Sequence, residues 1–321
     1  MRHFLSVNDF QKDEIETILN WATSIEKDWL CCRSMNNKCI ASFFAEPSTR
    51  TRFSFERAMH WLGGRIITAA NASQSSSLTK GESLKDTIRT LSQYSDCLVI
   101  RHPDPKWIDT ARTYSRVPVI NAGSGAGEHP TQALLDLHTI KQKYRIVRGL
   151  KVLLCGDLKN SRTIHSLVKL LCLYGCKIYY CSASVTCEEN TYELDPPDEL
   201  AQFANLQKIK IKDANDLLQE IDVVYMTRIQ KERLHISNCE IEFFKLNKSN
   251  INLLNEKATI LHPLPRNEEI SEDIDEDPRA DYHEKQVKNG LFVRTALLDY
   301  ILYNNPIFNL SSFHFPAEKV L

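Results

Sequence analysis

The sequence predicts an α/β chain built on two doubly wound parallel-sheet domains. Short apolar runs recur in both halves, and stretches of helical periodicity alternate with them, the pattern that winds helices over both faces of a parallel sheet. At 321 residues the chain is also long enough to fill two such domains. Several of the predicted strands run out into polar, glycine-marked or proline-marked turns, the positions at which open α/β sheets hold ligands.

Asn8 precedes an amphipathic stretch carrying Ile15, Ile18, Leu19 and Trp21, with Asp9 and Asp13 near its start and an end near Lys27; it reads as a structural helix. Lys38 to Phe44 reads as a buried strand, and Phe55, Ala58, Met59 and Leu62 recur at helical spacing until Gly63-Gly64. Between them lies Pro47-Ser48-Thr49-Arg50-Thr51-Arg52, a helix N-terminus. A lone Ser-Thr pair there would be an ordinary cap. Two arginines in the first turn, where the helix dipole disfavours cations, point instead to a bound anion. Free backbone N–H groups, three hydroxyls and two guanidiniums suit a phosphate dianion.

Arg65 to Ala70 is a predicted strand, and the serine-rich stretch from Asn71 to Lys80 a polar loop. That loop is either a flexible connector or a device that carries Lys80 onto a ligand, ahead of a helix with Leu84, Ile88 and Leu91. Cys97 to Ile100 places Arg101 at a strand's carboxyl end. Val117 to Ile120 leads into a glycine-rich loop, Asn121 to Gly127, which delivers Glu128-His129-Pro130-Thr131-Gln132 to a helix start. His129 reads equally well as a packed histidine or a catalytic one. The helix from about Glu128 to Tyr144 is the expected bridge between the two sheets.

The second series starts with Lys151 to Cys155, the turn Gly156-Asp157-Leu158 and a helix from Arg162. Without Gly-x-Gly-x-x-Gly the turn is no dinucleotide site. Further strands are predicted at Lys177 to Tyr180, Gln207 to Ile211, Val223 to Met226 and Thr259 to Leu261. After the third of these, Arg228 and Gln230 stand two residues apart and would face one cleft if the backbone stays extended; a solvated charged loop is the other reading. His262-Pro263-Leu264-Pro265-Arg266 is rigid and poor in donors, suited either to accept hydrogen bonds from a substrate amine or to connect stiffly.

Forty basic residues against forty-one acidic ones, a net charge of -1 and no basic run exclude a nucleic-acid footprint. No apolar run spans a bilayer and the first residues lack a signal-peptide core, so a soluble, cytoplasmic chain is expected. Of ten cysteines, Cys172, Cys176, Cys181 and Cys187 lie close together, but no Cys-x-x-Cys pair or histidine pair accompanies them. They are expected to be reduced core thiols, and no metal site is expected.

Taken together, Ser48 to Arg52, Lys80-Gly81-Glu82, Arg101-His102-Pro103, His129 to Gln132, Gly156 to Lys159, Thr227 to Arg233 and His262 to Arg266 resemble the aspartate carbamoyltransferase family, in its order and over nearly the whole chain. The first and fourth of these elements are shared with ornithine carbamoyltransferases. The ornithine enzymes, however, have His-Cys-Leu-Pro and Ser-Met-Gly where this chain has His262-Pro263-Leu264-Pro265 and Arg228-Ile229-Gln230. The resemblance implies a carbamoyl-phosphate domain over residues 1–134 and an aspartate domain over 135–284. A C-terminal helix and tail over 285–321 would return to the first domain, so that two helices join the domains. It also implies a homotrimer with active sites shared between subunits, no cofactor, and possible regulatory or pathway partners.

By that resemblance, Ser48, Thr49, Arg50, Thr51 and Arg101 hold the phosphate, with Ser77 and Lys80 supplied by the neighbouring chain. Thr51, Arg101 and His129 polarise the carbamoyl oxygen. Gln132, with the segment Pro263, Leu264 and Pro265, orients the carbamoyl nitrogen. Arg162 takes the α-carboxylate of aspartate, and Arg228, Gln230 and the neighbour's Lys80 the β-carboxylate. No residue reads as a dedicated general base. An ornithine-type transferase and a catalytically silent assembly subunit are the rival readings.

Overall fold

A computed structural model describes residues 2–28, 35–188, 190–201, 206–234 and 239–303. The first half runs α1 (Lys12–Lys27), β1 (Cys39–Phe44), α2 (Arg50–Trp61), β2 (Arg65–Ala70), α3 (Ala72–Ser75), α4 (Leu84–Tyr94), β3 (Cys97–His102), α5 (Trp107–Tyr114), β4 (Val119–Ser124) and α6 (Pro130–Tyr144). Its strands form one parallel sheet in the order β2-β1-β3-β4. The second half starts with β5 (Lys151–Gly156), α7 (Arg162–Leu173), β6 (Lys177–Ser182), β7 (Ser184–Cys187), β8 (Asn190–Glu193), α8 (Asp198–Ala201) and β9 (Gln207–Lys208). It continues through α9 (Ala214–Leu217), β10 (Val223–Met226), α10 (Lys231–Leu234), β11 (Glu240–Glu242) and β12 (Thr259–Leu261) to the closing helix α11 (Lys285–Tyr303). Five of its strands pair in parallel as β12-β10-β5-β6-β9.

The two parallel sheets are as predicted, and their cause is visible in burial. Residues 40–44 of β1 and 152–156 of β5 are buried at every position, as strands covered on both faces must be. On α11, Val293, Ala296, Leu297 and Ile301 share one apolar cluster with Ile15, Ile18 and Leu19 of α1 and Phe55 and Met59 of α2. The last helix therefore packs back on the first half of the chain, against α1, α2 and α6. Residues 130–140 of α6 are buried all round, because the helix runs between α7, α11 and β4.

Four local expectations are corrected. The first long helix starts at Lys12, capped by Gln11 with Glu14 reaching back, because the Asp9 carboxylate accepts from the Leu5 and Ser6 amides at 2.7 and 2.9 Å and closes a separate 3-10 turn. The serine stretch is α3 followed by a 3-10 turn over Ser77–Lys80, not an open loop. Asn121 to Ser124 are the buried end of β4, since Asn121 Nδ2 donates to Leu5 O and its Oδ1 accepts from Gly123 N. The strand predicted over Gln207 to Ile211 shrinks to the two residues of β9.

A third, antiparallel sheet, β11-β7-β8, was not legible in the sequence. Its register sets Thr186 opposite Glu240 and so brings Cys187 beside Cys239; the two form a disulfide across 52 residues of sequence. The expectation of a reduced thiol at Cys187 is overturned, while Cys172, Cys176 and Cys181 are free. Among the described residues no group of histidines, cysteines and carboxylates could hold a metal ion, and no helix is long and apolar enough to cross a membrane. The tail after Asn304 lies outside the described residues.

Candidate active site

The carboxyl ends of both parallel sheets open on one cavity of about 370 Å³. The turn after β1 supplies Ser48, Thr49, Arg50 and Thr51, the end of β3 supplies Arg101, and the start of α6 supplies His129 and Gln132. From the second sheet come Arg162 at the start of α7, Arg228 and Gln230 after β10, and Pro263, Leu264 and Pro265 after β12. Gly156 lets β5 and β10 exit side by side: its φ is 112°, and a Cβ there would lie 2.1 Å from the Thr227 carbonyl oxygen. Two predicted residues are absent from the lining. Ser77 and Lys80 are exposed on the outside of the same chain.

Four arginines, Arg50, Arg101, Arg162 and Arg228, line the cavity and no carboxylate does, among the described residues. The nearest countercharge is Glu46, whose carboxylate accepts from Arg162 Nη1 at 2.7 Å and lies 3.4 Å from Arg101 Nε and 3.8 Å from Arg233 Nη2. Burial alone would raise the Glu46 pKa, but Arg162, Arg101 and Arg233 hold it below the usual glutamate value. Arg101 is pushed down to about 9, by burial first and then by Arg162. Its Nε is buried without a hydrogen-bond partner. Arg50 makes no ion pair or hydrogen bond among the described residues, and Arg228, just before α10, pairs with Glu232 in it. Such a cavity is an electrostatic trap for a ligand with several negative charges.

His129 is 4% exposed, and its pKa is driven well below the ordinary histidine value by burial, with Arg162 and Arg101 adding to the effect. Its Nε2 lies 3.3 Å from Thr51 Oγ1, so a neutral imidazole and a hydroxyl converge beside Arg101 on one region of the cavity. Opposite, Leu264 sits at φ 50°, with its N–H donating to His262 Nδ1 at 2.8 Å.

Residues 2–142 match the carbamoyl-P binding domain of the aspartate/ornithine carbamoyltransferases, and residues 148–301 match their Asp/Orn binding domain. The chain belongs to the aspartate/ornithine carbamoyltransferase family. It is 43% identical over 313 residues to the aspartate carbamoyltransferase catalytic subunit of Thermococcus gammatolerans, covering 94% of this chain and 97% of that one. It is 42% identical over 311 residues to the multifunctional protein CAD of Squalus acanthias, of which it spans only 13%. Among solved structures, aspartate transcarbamoylase from Trypanosoma cruzi in complex with carbamoyl aspartate and phosphate superposes with a TM-score of 0.81 at 35% identity, over 94% of this chain and 95% of that one.

Around this cavity, sequence reasoning missed Ser161, Thr163, Thr227 and the His262 side chain among the lining residues, and Glu46 behind them. Glu46 had a signal: it directly precedes Pro47-Ser48, and four arginines drawn into one cleft need a countercharge nearby. The others had none, because a hydroxyl or imidazole is placed only by the strand exits that meet there.

Burial also sets a stability profile. His129, His138 and His262 are each under 5% exposed with pKa values lowered by burial, His138 to about 4. Unfolded rings bind protons below about pH 6.5, so the unfolded state takes up more protons and stability falls with pH. Each ring contributes up to about 1.4 kcal/mol per pH unit below that value. Asp136, raised to about 7 by burial, has the opposite sign and offsets about one of them. Urea unfolding is expected to show a lower midpoint at pH 5.5 than at pH 7.5; an equal or higher midpoint at pH 5.5 contradicts neutral burial of the three rings.

Proposed function

We propose that the chain transfers the carbamoyl group of carbamoyl phosphate to the amino group of L-aspartate, giving N-carbamoyl-L-aspartate and phosphate in de novo pyrimidine synthesis. The observation that carries this reading is a single cavity with four arginines, no lining carboxylate and contributions from both sheets, sized for one phosphate and two carboxylates. In this reading Ser48, Thr49, Arg50, Thr51 and Arg101 take the phosphate, where fixed donors stabilise the charge that develops on the leaving group. Thr51, Arg101 and neutral His129 polarise the carbamoyl oxygen while the amine attacks. Gln132 and the Pro263 and Leu264 carbonyls accept from the carbamoyl nitrogen, with Pro265 fixing that segment. Arg162 takes one aspartate carboxylate, and Arg228 and Gln230 the other.

The same proposal divides the chain into a phosphate-binding domain over residues 1–134, an aspartate-binding domain over 135–284 and a returning helix and tail over 285–321. It also makes the active unit a homotrimer in which Ser77 and Lys80 complete a neighbour's cavity. Support comes from their exposure away from their own cavity, and from two exposed apolar side chains on the same half of the chain, Ile67 on the edge strand β2 at 47% and Phe53 on α2 at 52%. Cytoplasmic residence is supported by six free cysteines against one disulfide among the described residues.

Labelled carbamoyl phosphate offered in parallel to aspartate and ornithine tests the reading. Label is expected in carbamoyl-aspartate alone. Carbamoyl-ornithine would favour the ornithine-type reading, which the Pro263-Leu264-Pro265-Arg266 segment opposes, and no product would favour a silent assembly subunit, which the full set of lining cations opposes. Arg228→Ala is expected to lower kcat/KM for aspartate about a hundredfold or more, as loss of a charge-assisted carboxylate contact does, and to leave carbamoyl-phosphate binding within about threefold. An equal fall in carbamoyl-phosphate affinity contradicts the division between the two sheets.

A further inference from the structure

We propose that Asp136, which does not itself line the cavity, is the positioning residue that makes the site select a carbamoyl amide, by orienting Gln132 and the Pro263-Leu264 segment as one set of acceptors. The inference rests on the carbamoyl-phosphate reading above and adds to it a residue buried in α6, one turn beyond Gln132.

The orientation follows from hydrogen-bond logic. On α11, Gln286 Oε1 accepts from the His262 backbone N–H at 2.9 Å, so its amide nitrogen must point the other way. That nitrogen donates to Asp136 Oδ1 at 2.7 Å. Gln132 presents its side-chain amide to the same Oδ1 at 2.9 Å. An oxygen already accepting from Gln286 repels a second carbonyl oxygen, so Gln132 turns its nitrogen inward and leaves its own carbonyl oxygen for the cavity. Asp136 Oδ2 accepts from the Tyr225 hydroxyl at 2.7 Å. The nearest cation is buried Arg294, whose charge opposes the effect of burial on the carboxyl.

The other arm runs through His262. Its Nδ1 accepts from Leu264 N–H, so the ring proton is on Nε2, which donates to Glu269 Oε1 at 2.8 Å. One continuous chain of hydrogen bonds thus links Asp136 through Gln286 and His262 to Leu264, while a second, shorter arm ends at Gln132. Both arms end on residues that line the cavity.

The chemical consequence is specificity. A carbamoyl group offers two N–H donors where an acetyl group offers a methyl, and a site that presents acceptors loses little with the methyl only if those acceptors are misdirected. Releasing Gln132 lets its amide turn and set donors against donors. Protonation of Asp136 does not break the arrangement, because a protonated Oδ2 donates a hydrogen bond to the Tyr225 oxygen, the roles at that contact reversing, and Oδ1 still accepts from both amides. Asp136→Asn keeps that geometry with Oδ1 in place; Asp136→Leu abolishes it.

The test compares, in the intact enzyme, the KM for carbamoyl phosphate with the competitive inhibition constants of acetyl phosphate and inorganic phosphate. Asp136→Leu is expected to raise the carbamoyl-phosphate KM about tenfold, with both inhibition constants within about twofold of the parent, and Asp136→Asn to restore the parent KM. Should Asp136→Leu fail to fold, Gln286→Leu severs only the arm to His262 and is expected to give the same selective rise, about threefold. If all three constants rise together in whichever variant folds, or the carbamoyl-phosphate KM stays unchanged, the positioning role is overturned. A parent enzyme that binds acetyl phosphate as tightly as carbamoyl phosphate overturns the carbamoyl reading itself, independently of Asp136.

Discussion

Arg50→Ala is expected to lower kcat about a thousandfold, a loss of about 4 kcal/mol in transition-state stabilisation, with the fold intact. The magnitude follows from position. Arg50 is the first residue of α2, its guanidinium lines the cavity, and it has no protein partner among the described residues, so its charge is available to a departing phosphate. The same lack of a partner means that truncation strands no buried group. Removing a cation from a helix N-terminus relieves an unfavourable dipole contact of about 0.5 kcal/mol, so thermal stability is expected to hold or rise slightly. A folded Arg50→Ala enzyme within tenfold of parental kcat contradicts a phosphate cradle at this turn.

Two inactive variants are expected to restore each other. Lys80→Ala removes the cation of the exposed turn after α3, and His129→Ala damages the cavity that receives substrate. Each alone is expected to lose at least about a hundredfold in kcat, as removal of a donor to developing charge does. In a trimer with shared sites, an interface that takes Lys80 from one chain and His129 from the next is whole. Random exchange at equal mixing makes about a quarter of interfaces whole, so about a quarter of parental activity is expected to return. Exchange confirmed by native mass with no recovered activity would place each site within one chain. Lys80 is exposed and unpartnered among the described residues, and Ser77 is exposed beside it, an arrangement suited to reaching outward rather than into their own cavity.

Much of this site was legible because the chemistry sits where strands end. Ser48 to Arg52, Arg101 and Arg228 each follow an apolar run whose period marks a buried strand, and a parallel sheet sends all such ends to one side. Of the two readings open for Arg228 and Gln230, a shared cleft or a solvated loop, the structure has both residues lining the cavity. What stayed hidden depends on pairings between distant segments. β7, β8 and β11 are too short for alternation to register, and their antiparallel register alone brings Cys187 to Cys239. Nothing in the sequence marks Asp136; only the return of α11 brings Gln286 to it, only the place of β10 in the second sheet brings Tyr225, and the His262 segment is reached through Gln286. Glycines misled the reading of β4, whose Gly123 is a buried strand residue.

The most direct measurement is a crystal structure of the enzyme with N-(phosphonacetyl)-L-aspartate, a compound with one phosphonate and two carboxylates that is present in a structure of the Trypanosoma cruzi aspartate transcarbamoylase. Its phosphonate is expected on Ser48, Thr49, Arg50, Thr51 and Arg101, its two carboxylates on Arg162 and on Arg228 with Gln230, and a neighbouring chain's Lys80 in the same cavity. A compound seated with its phosphonate on Arg162 or Arg228, or in a cavity closed without a neighbouring chain, would contradict this placement.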